Sequence, residues 1–163
     1  MTVADESDGA PGEPVPEIRR AGPGDVDRIV LFNQAMARET EGRELDRGVL
    51  RDGVERLLED PRRGVYWVAE LDGEVAAQLL VTTEWSDWRN AEVWWIQSVY
   101  VSREHRREGL YRALHATVRR AAREAGAAGL RLYVDRDNVP AQETYASLGM
   151  RRSNYRMYEE MWK

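Results

Sequence analysis

The sequence predicts an α/β (α+β) fold, with a mixed, mostly antiparallel sheet of six to seven strands flanked by about four helices. Three observations predict it. Two apolar stripes at helical spacing follow a short first strand, three strand-like segments then follow one another, and a strand–helix–strand unit comes next. Short turns are typical of antiparallel strands, whereas a strand–helix–strand unit favours parallel ones.

The length and composition of the chain limit the functions that it can have. The chain has 163 residues, 42% of them hydrophobic, which suits one domain with a sizeable core. Residues 1–16 are rich in Pro, Gly and acidic residues, so we expect a disordered tail followed by a single domain at 17–163. No apolar run approaches the roughly 20 residues of a membrane span, and no secretory signal is visible. With no cysteine, we expect a cytoplasmic protein without a metal site.

The net charge of −5 argues against a nucleic-acid partner and mildly favours a cationic one.

Local signals in the first half predict a strand, two helices and a hairpin. Pro23 marks a helix start, and Asp60-Pro61 ends the second helix. Asp72-Gly73 is a strong hairpin signal. The predicted elements are a strand at 17–21, helices at 26–36 and 46–59, and strands at 65–71 and 74–84.

The second half opens with a long strand rich in aromatic and β-branched residues and then changes character. A basic loop leads into a helix near Gly109, and Gly149 ends the helix after it. The predicted elements are strands at 91–101, 130–134 and 155–162, with helices at 110–126 and 138–147.

The loop between the long strand and its helix is the most informative segment. A helix start offers unpaired N–H groups and the positive end of the helix dipole, which suit a phosphate. Gly109 permits close backbone approach, and Arg106, Arg107 and Arg112 supply charge. An arginine-rich solvated loop with Gly109 as a hinge is the alternative.

Two blocks carry a family resemblance. Arg106-Arg107-Glu108-Gly109-Leu110-Tyr111 resembles the acetyl-CoA signature of GNAT acyltransferases, with Tyr111 in place of the usual small residue. Asn138-Val139-Pro140-Ala141, Tyr145 and Leu148-Gly149 resemble the pattern that follows the family's fifth strand. The order of predicted elements also fits a GNAT-like fold.

The resemblance implies an acetyl-CoA-dependent N-acetyltransferase that acylates a primary amine of a small molecule or peptide. It places the CoA pyrophosphate on the stretch from Arg106 to Arg112, which includes Tyr111. It lays the pantetheine arm along Val99 and Val101, between splayed fourth and fifth strands. Asn138 would contact this arm, and Tyr145 would protonate the leaving thiolate.

The general base is left open. Some family members use a glutamate on the fourth strand, where this chain has Trp95. Glu84 and Glu92 are candidate catalytic substitutes, and Gln97 or Ser98 could hold a water. Each of them is also explained as a strand-surface residue.

Aromatic and acidic residues suggest an acceptor site. Trp85 and Trp88, near the hairpin tip, together with Glu39 and Glu41 after the first helix, could bind a cationic amine. Core and sheet packing is the alternative for most of the aromatic residues.

A catalytically weak acyl-CoA sensor or interaction module is the alternative function, because the strand-four glutamate is missing. An open sheet edge also makes a homodimer an expectation.

Overall fold

The computed structural model describes residues 15–162, which fall into two units that divide between Leu132 and Tyr133. The predicted tail lies outside the described residues except for its last two, and the single domain stays a prediction. In chain order the elements are β1 Glu17–Arg20, α1 Val26–Glu41, α2 Arg47–Glu59, β2 Val65–Leu71, β3 Glu74–Ser86, β4 Ala91–Val101, α3 Leu110–Glu124, β5 Gly129–Arg131 and α4 Val139–Ser147. Within residues 15–162, no helix combines the length and the apolar character that crossing a bilayer needs.

Local capping determines where α1 and α2 begin and end. Asp25 accepts a hydrogen bond from the Gly22 backbone N–H at 2.8 Å, which fixes the chain entering α1. Gly42, in the left-handed region at φ 62°, ends α1. Asp46 caps α2 by accepting from the Val49 N–H at 2.9 Å. α2 has the predicted bounds to within one residue, and α1 begins where predicted. The predicted end of α1 at residue 36 is wrong: the helix continues to Glu41, so Glu39 and Glu41 lie within it rather than after it, because Gly42 and not the last residue of the apolar stripe ends it.

The sheet of the first unit has the strand order β1-β2-β3-β4-β5. The first four strands pair antiparallel, and β4 and β5 pair parallel, as predicted. Asp72 and Gly73 have φ values of 50° and 81°, which is the pair of positive angles that a tight hairpin turn requires. The antiparallel meander and the parallel unit are both confirmed.

Helices cover both faces of this sheet. One face buries Leu79, Ile96 and Val81 under Leu114 and Val118 of α3. The other face buries Tyr66 under Ile29 of α1 and Val54 of α2. Each fully buried aliphatic side chain contributes about 1.5–3 kcal/mol, so these two layers hold the sheet that positions the loop before α3.

The predicted strand at 155–162 is wrong. These residues form no strand, so the sheet has five strands within residues 15–162 rather than six to seven. Alternating hydrophobicity alone does not make a strand, because the backbone also needs a paired neighbour. The apolar side chains of the segment are exposed: Tyr155, Met157, Tyr158, Met161 and Trp162. The strand β5 is also shorter than predicted, with three residues.

His115 lies on the buried side of α3 with 3% of its surface exposed, and its Nε2 has no hydrogen-bond partner within residues 15–162. Burial, with a smaller effect of Arg119, lowers its pKa below the ordinary 6.5. As the pH falls below 6.5, His115 becomes protonated in the unfolded chain but stays neutral in the folded protein, because its pKa is lower there. The contribution of His115 to stability is therefore present above pH 6.5 and is lost towards the lower folded pKa.

We predict that His115→Leu weakens the loss of stability between pH 7.5 and 5.5. The measurement is urea unfolding of both proteins at both pH values. The change with pH is compared, so that a uniform effect of the substitution on packing cancels. An identical pH dependence in the two proteins would show that His115 does not titrate across this range on unfolding.

Candidate functional site

The loop between β4 and α3 leaves the start of α3 uncapped. Gly109 precedes the helix in the left-handed region, at φ 77° and ψ 8°, and no side chain in the described part of the chain caps it. The first intrahelical bond runs from the Ala113 N–H to the Gly109 carbonyl at 3.0 Å. The N–H groups of Leu110, Tyr111 and Arg112 precede that bond, so they face the end of the helix where an anion is stabilised.

Arg107 adds a second left-handed residue to the same loop, at φ 70°. A non-glycine residue in this region costs about 1–3 kcal/mol, and such residues cluster at ligand clamps. The side chains of Arg107 and Arg112 are exposed and make no ion pair or hydrogen bond to any described residue. Both guanidinium groups are therefore available to an anion at the helix start.

Tyr111 is placed differently from these arginines. Its side chain packs against the core beneath α3, with its ring centroid 6.0 Å from that of His115. The group that Tyr111 offers to an anion is its backbone N–H.

Arg106 points away from the helix start. Its Nε donates to the Val101 carbonyl at 3.1 Å, and its NH2 donates to Glu39 at 2.6 Å. The guanidinium also lies over the Tyr100 ring, 5.6 Å from the centroid. Glu39, predicted in the acceptor pocket, is thus brought to the loop before α3, 67 residues away in the chain.

Glu39 is held by more than Arg106. It also accepts from the Tyr100 hydroxyl and from the Arg103 Nε, each at 3.0 Å. Arg106 above all, together with Tyr100 and Arg103, holds the Glu39 pKa below its usual range. Burial, and then the neighbouring Glu39 carboxylate, raise the pKa of Tyr100. Glu39 is therefore an ionised acceptor at a junction of α1, the end of β4 and the loop.

The edge of β4 beyond Trp95 is open. The parallel pairing with β5 covers only Val93, Trp94 and Trp95, and no other strand of the first unit's described residues pairs with the rest of β4 on that side. The Ser102 N–H bonds to Ala76 on β3 at 2.9 Å. Since backbone groups alternate in direction along a strand, those of Val101 and Val99 point away from β3, towards the open edge.

A β-bulge lies where the open edge begins. Leu80 pairs with Ser98 and Val81 pairs with Ile96, so Gln97 is the extra residue of β4. The Gln97 amide donates to the Thr82 hydroxyl at 2.7 Å. Bulges occur beside active sites because they redirect side chains and end regular pairing.

The two candidate bases lie on opposite faces of the sheet. Glu84 shares a face with Trp95, whose indole N–H donates to it, and Arg131 donates to it at 3.2 Å. Glu92 lies two residues from Trp94, on the face that α3 covers, and its Oε2 is buried without a hydrogen-bond partner in the described residues. Glu84 alone of the two is on the side of the sheet where α1 and α2 pack.

The four predicted acceptor residues do not come together. Trp85 and Trp88 are 59% and 87% exposed, at the β3–β4 tip. Glu39 bonds to Tyr100 at the far end of β4, about 30 Å from the tip at roughly 3.4 Å per strand residue. Glu41 lies close to Glu39 in α1 and contacts Arg43 at 3.5 Å.

The second unit carries the remaining two predicted residues, Asn138 directly before α4 and Tyr145 within it. Asn138 caps this helix by accepting from the Ala141 N–H at 3.2 Å. Tyr145 is half-buried, and burial raises the pKa of its hydroxyl. The phenol therefore keeps its proton at neutral pH and can act as a donor.

Comparison with known proteins identifies the family of the chain. The model of the Acetyltransferase (GNAT) family matches residues 32–150, which is more than half of the chain. The chain belongs to the GNAT acetyltransferase family. A possible acetyltransferase from Clostridium difficile 630 is 46% identical, with a TM-score of 0.84, over 90% of this chain and 97% of that one. No curated protein matches.

Two further solved structures resemble this GNAT acetyltransferase. A probable acetyltransferase is 25% identical over 90% of this chain and 98% of its own, with a TM-score of 0.79. The aminoglycoside N-acetyltransferase AAC(6')-Iy, solved in complex with CoA, is 13% identical over 94% of this chain and 99% of its own, with a TM-score of 0.78. The latter likeness is one of fold alone. The family and the GNAT-like fold predicted from the two motif blocks are confirmed.

The open edge of β4 in this GNAT acetyltransferase predicts a difference in the exchange rates of neighbouring amide hydrogens. In the protein without ligand, the amide hydrogens of Val99 and Val101 should exchange faster than that of Tyr100, because the Tyr100 N–H points to β3 and theirs do not. Hydrogen–deuterium exchange followed by NMR measures the difference. Equal protection of all three amides would mean that another part of the chain pairs with this edge.

Proposed function

We propose that this protein transfers an acetyl group from acetyl-CoA directly to a primary amine of a small molecule or peptide. One observation carries the proposal: an uncapped helix start and an open strand edge lie at the two ends of a single loop. The helix start suits a pyrophosphate, and the strand edge suits the amide groups of an extended arm.

The residues of the first unit fit the acyl donor. The N–H groups at the start of α3 and the side chains of Arg107 and Arg112 would hold the pyrophosphate. The backbone of Val99 and the N–H of Val101, whose carbonyl already accepts from Arg106, would pair with the pantetheine arm. A Cβ on Gly109 would meet no protein atom within 4 Å, so open space lies in front of this backbone. When bound, acetyl-CoA supplies the activated thioester. The protein of the same fold that was solved with CoA supports this choice of donor.

Tyr145 is proposed as the general acid. Burial keeps its hydroxyl protonated, and the hydroxyl would give its proton to the leaving sulfur. Asn138 already uses its side-chain oxygen to cap α4, so its amide N–H₂ is the group left to contact the donor.

Glu84 is preferred over Glu92 as the group that accepts the proton of the amine. The acceptor must be neutral to attack, and it must lose a proton on acylation. Glu84 is half-exposed and shares its face with Thr82, which contacts the bulge residue Gln97. A water held at Gln97 would relay the proton. Glu92 lies on the face that α3 covers.

The acceptor is proposed to be cationic before it loses its proton. Trp85 and Trp88 are exposed near the end of β3 that carries Glu84. Exposed indole rings attract ammonium groups. Trp85 pairs with Glu92 and points to the face opposite Glu84, so Trp88 at the tip is the ring proposed to act together with the Glu84 carboxylate. Glu39 and Glu41 are left out of this site, because they lie towards the other end of β4.

An acyl-CoA sensor without turnover is the second candidate. The observation that favours it is the engagement of Glu84 by Arg131 and Trp95. These two partners already occupy the carboxylate oxygens that a general base would use to accept a proton. Release of CoA in the presence of any amine separates the two functions.

The donor site is tested with Gly109→Asp. A side chain at φ 77° is strained, and its carboxylate would repel a pyrophosphate at the helix start, so we expect acetyl-CoA binding to be lost in calorimetric titration. Gly126→Asp is the matched control. Gly126 lies beyond the other end of α3, at φ 74° and also with open space around it, so this variant should bind normally. Normal binding by Gly109→Asp would show that the donor binds elsewhere.

The acid is tested with Tyr145→Phe. Removing the hydroxyl should lower kcat by about 10²-fold or more, the usual contribution of a general acid, while the Kd for acetyl-CoA stays the same. Release of the CoA thiol under saturating amine measures kcat, and calorimetry measures the Kd. A variant with unchanged kcat would leave Tyr145 as a packing residue of α4.

A further inference from the structure

The carboxylate of Glu39 joins three parts of the first unit. It lies near the end of α1 and accepts hydrogen bonds from Tyr100 in β4, from Arg103 in the short 3-10 turn after β4, and from Arg106 in the loop. Oε1 takes the first two bonds and Oε2 takes the third. Its side chain is 21% exposed, so the group is largely enclosed by these partners.

Arg106 links the Glu39 carboxylate to the end of β4, where the open edge lies. It is fixed at three points: the Glu39 carboxylate, the Tyr100 ring and the Val101 carbonyl. It shares the single Glu39 carboxylate with Arg103, and its side chain is directed back to β4. Arg107 and Arg112, by contrast, have no such partners among the described residues.

We propose that Glu39 is a positioning residue for acyl-donor binding, and that Arg106 braces the loop instead of binding the pyrophosphate. Glu39 holds Arg106 and Arg103, and these two side chains hold the loop between β4 and α3. The backbone N–H groups at the start of α3 are thereby set before the donor arrives. This inference rests on the proposed function, because it concerns the same donor site.

The proposal predicts that removing the charge of Glu39 raises the Kd for the donor, whereas charge alone predicts that it lowers the Kd. A carboxylate near an anionic ligand repels it, so removing the charge of Glu39 should tighten donor binding if electrostatics were the only effect. Loss of the brace weakens binding instead, because the loop must then be ordered when the donor binds. The sign of the change in Kd therefore separates the two roles.

The experiment is a double-mutant cycle on the full chain with Glu39→Gln and Arg106→Gln, using acetyl-CoA as the probe in calorimetry. Glu41→Gln is the matched control. It removes the same charge two residues along α1, where the carboxylate contacts only Arg43 among the described residues. Urea unfolding of each variant verifies that it is folded at the temperature of the titration.

We expect each single variant to bind acetyl-CoA about tenfold more weakly, as the loss of a charged hydrogen bond predicts. The double variant should bind no more weakly than Glu39→Gln alone, because Glu39→Gln already breaks the contact with Arg106. Glu41→Gln should bind as the unchanged protein does or slightly more tightly. Tighter binding by Glu39→Gln, or additive losses in the double variant, would overturn the proposal and make Arg106 a direct ligand of the phosphate.

A second measurement keeps this inference separate from the proposed function. If the unchanged protein does not bind acetyl-CoA, the donor assignment fails, and the brace is judged in the ligand-free protein by ¹⁵N relaxation of the loop amides. Glu39→Gln should lower the order parameters of Arg103 to Gly109, and Glu41→Gln should not. Unchanged order parameters in Glu39→Gln would show that Glu39 does not hold the loop.

Discussion

The candidate site depends on the short pairing between two strands: β4 and β5 pair over only three residues each. Had the pairing continued, the backbone groups of Val99 and Val101 would be used within the sheet. An unpaired edge invites association with other chains, so proteins usually cover it. Here the edge leads directly into a loop that ends at an uncapped helix start. The two exposed features lie on one short stretch of chain and can act on one extended ligand.

Charge is distributed around this stretch so that only some of the arginines are paired with a carboxylate. The protein is acidic overall, with a net charge of −5, yet its loop is basic. Glu39 pairs with Arg103 and Arg106, which leaves Arg107 and Arg112 beside the helix start. The pairing thus separates arginines that support the loop from arginines available to an anion. A count of basic residues in the loop does not reveal this division.

Features that depend on neighbouring residues could be predicted from the sequence, and features that depend on distant ones could not. The hairpin at Asp72 and the helix start at Gly109 follow from local backbone preferences. The contact between Glu39 and Arg106 joins residues 67 apart, and no periodicity signals it. The false strand at 155–162 has the same cause, since alternation reports the face of a residue but not the presence of a partner. His115 is buried beside the core residue Leu114, which its polar side chain does not signal.

The bulge at Gln97 explains why the faces of β4 could not be assigned from the sequence. Without it, Trp95 and Val99 would share a face. The extra residue instead places Ile96 and Val99 together against the α3 side, and it turns Tyr100 towards α1, where its ring lies 5.0 Å from that of Phe32. Only on that face can the Tyr100 hydroxyl reach Glu39. The irregularity that begins the open edge therefore also allows α1 to contact the loop beyond β4, and the two halves of the proposed donor site share one structural cause.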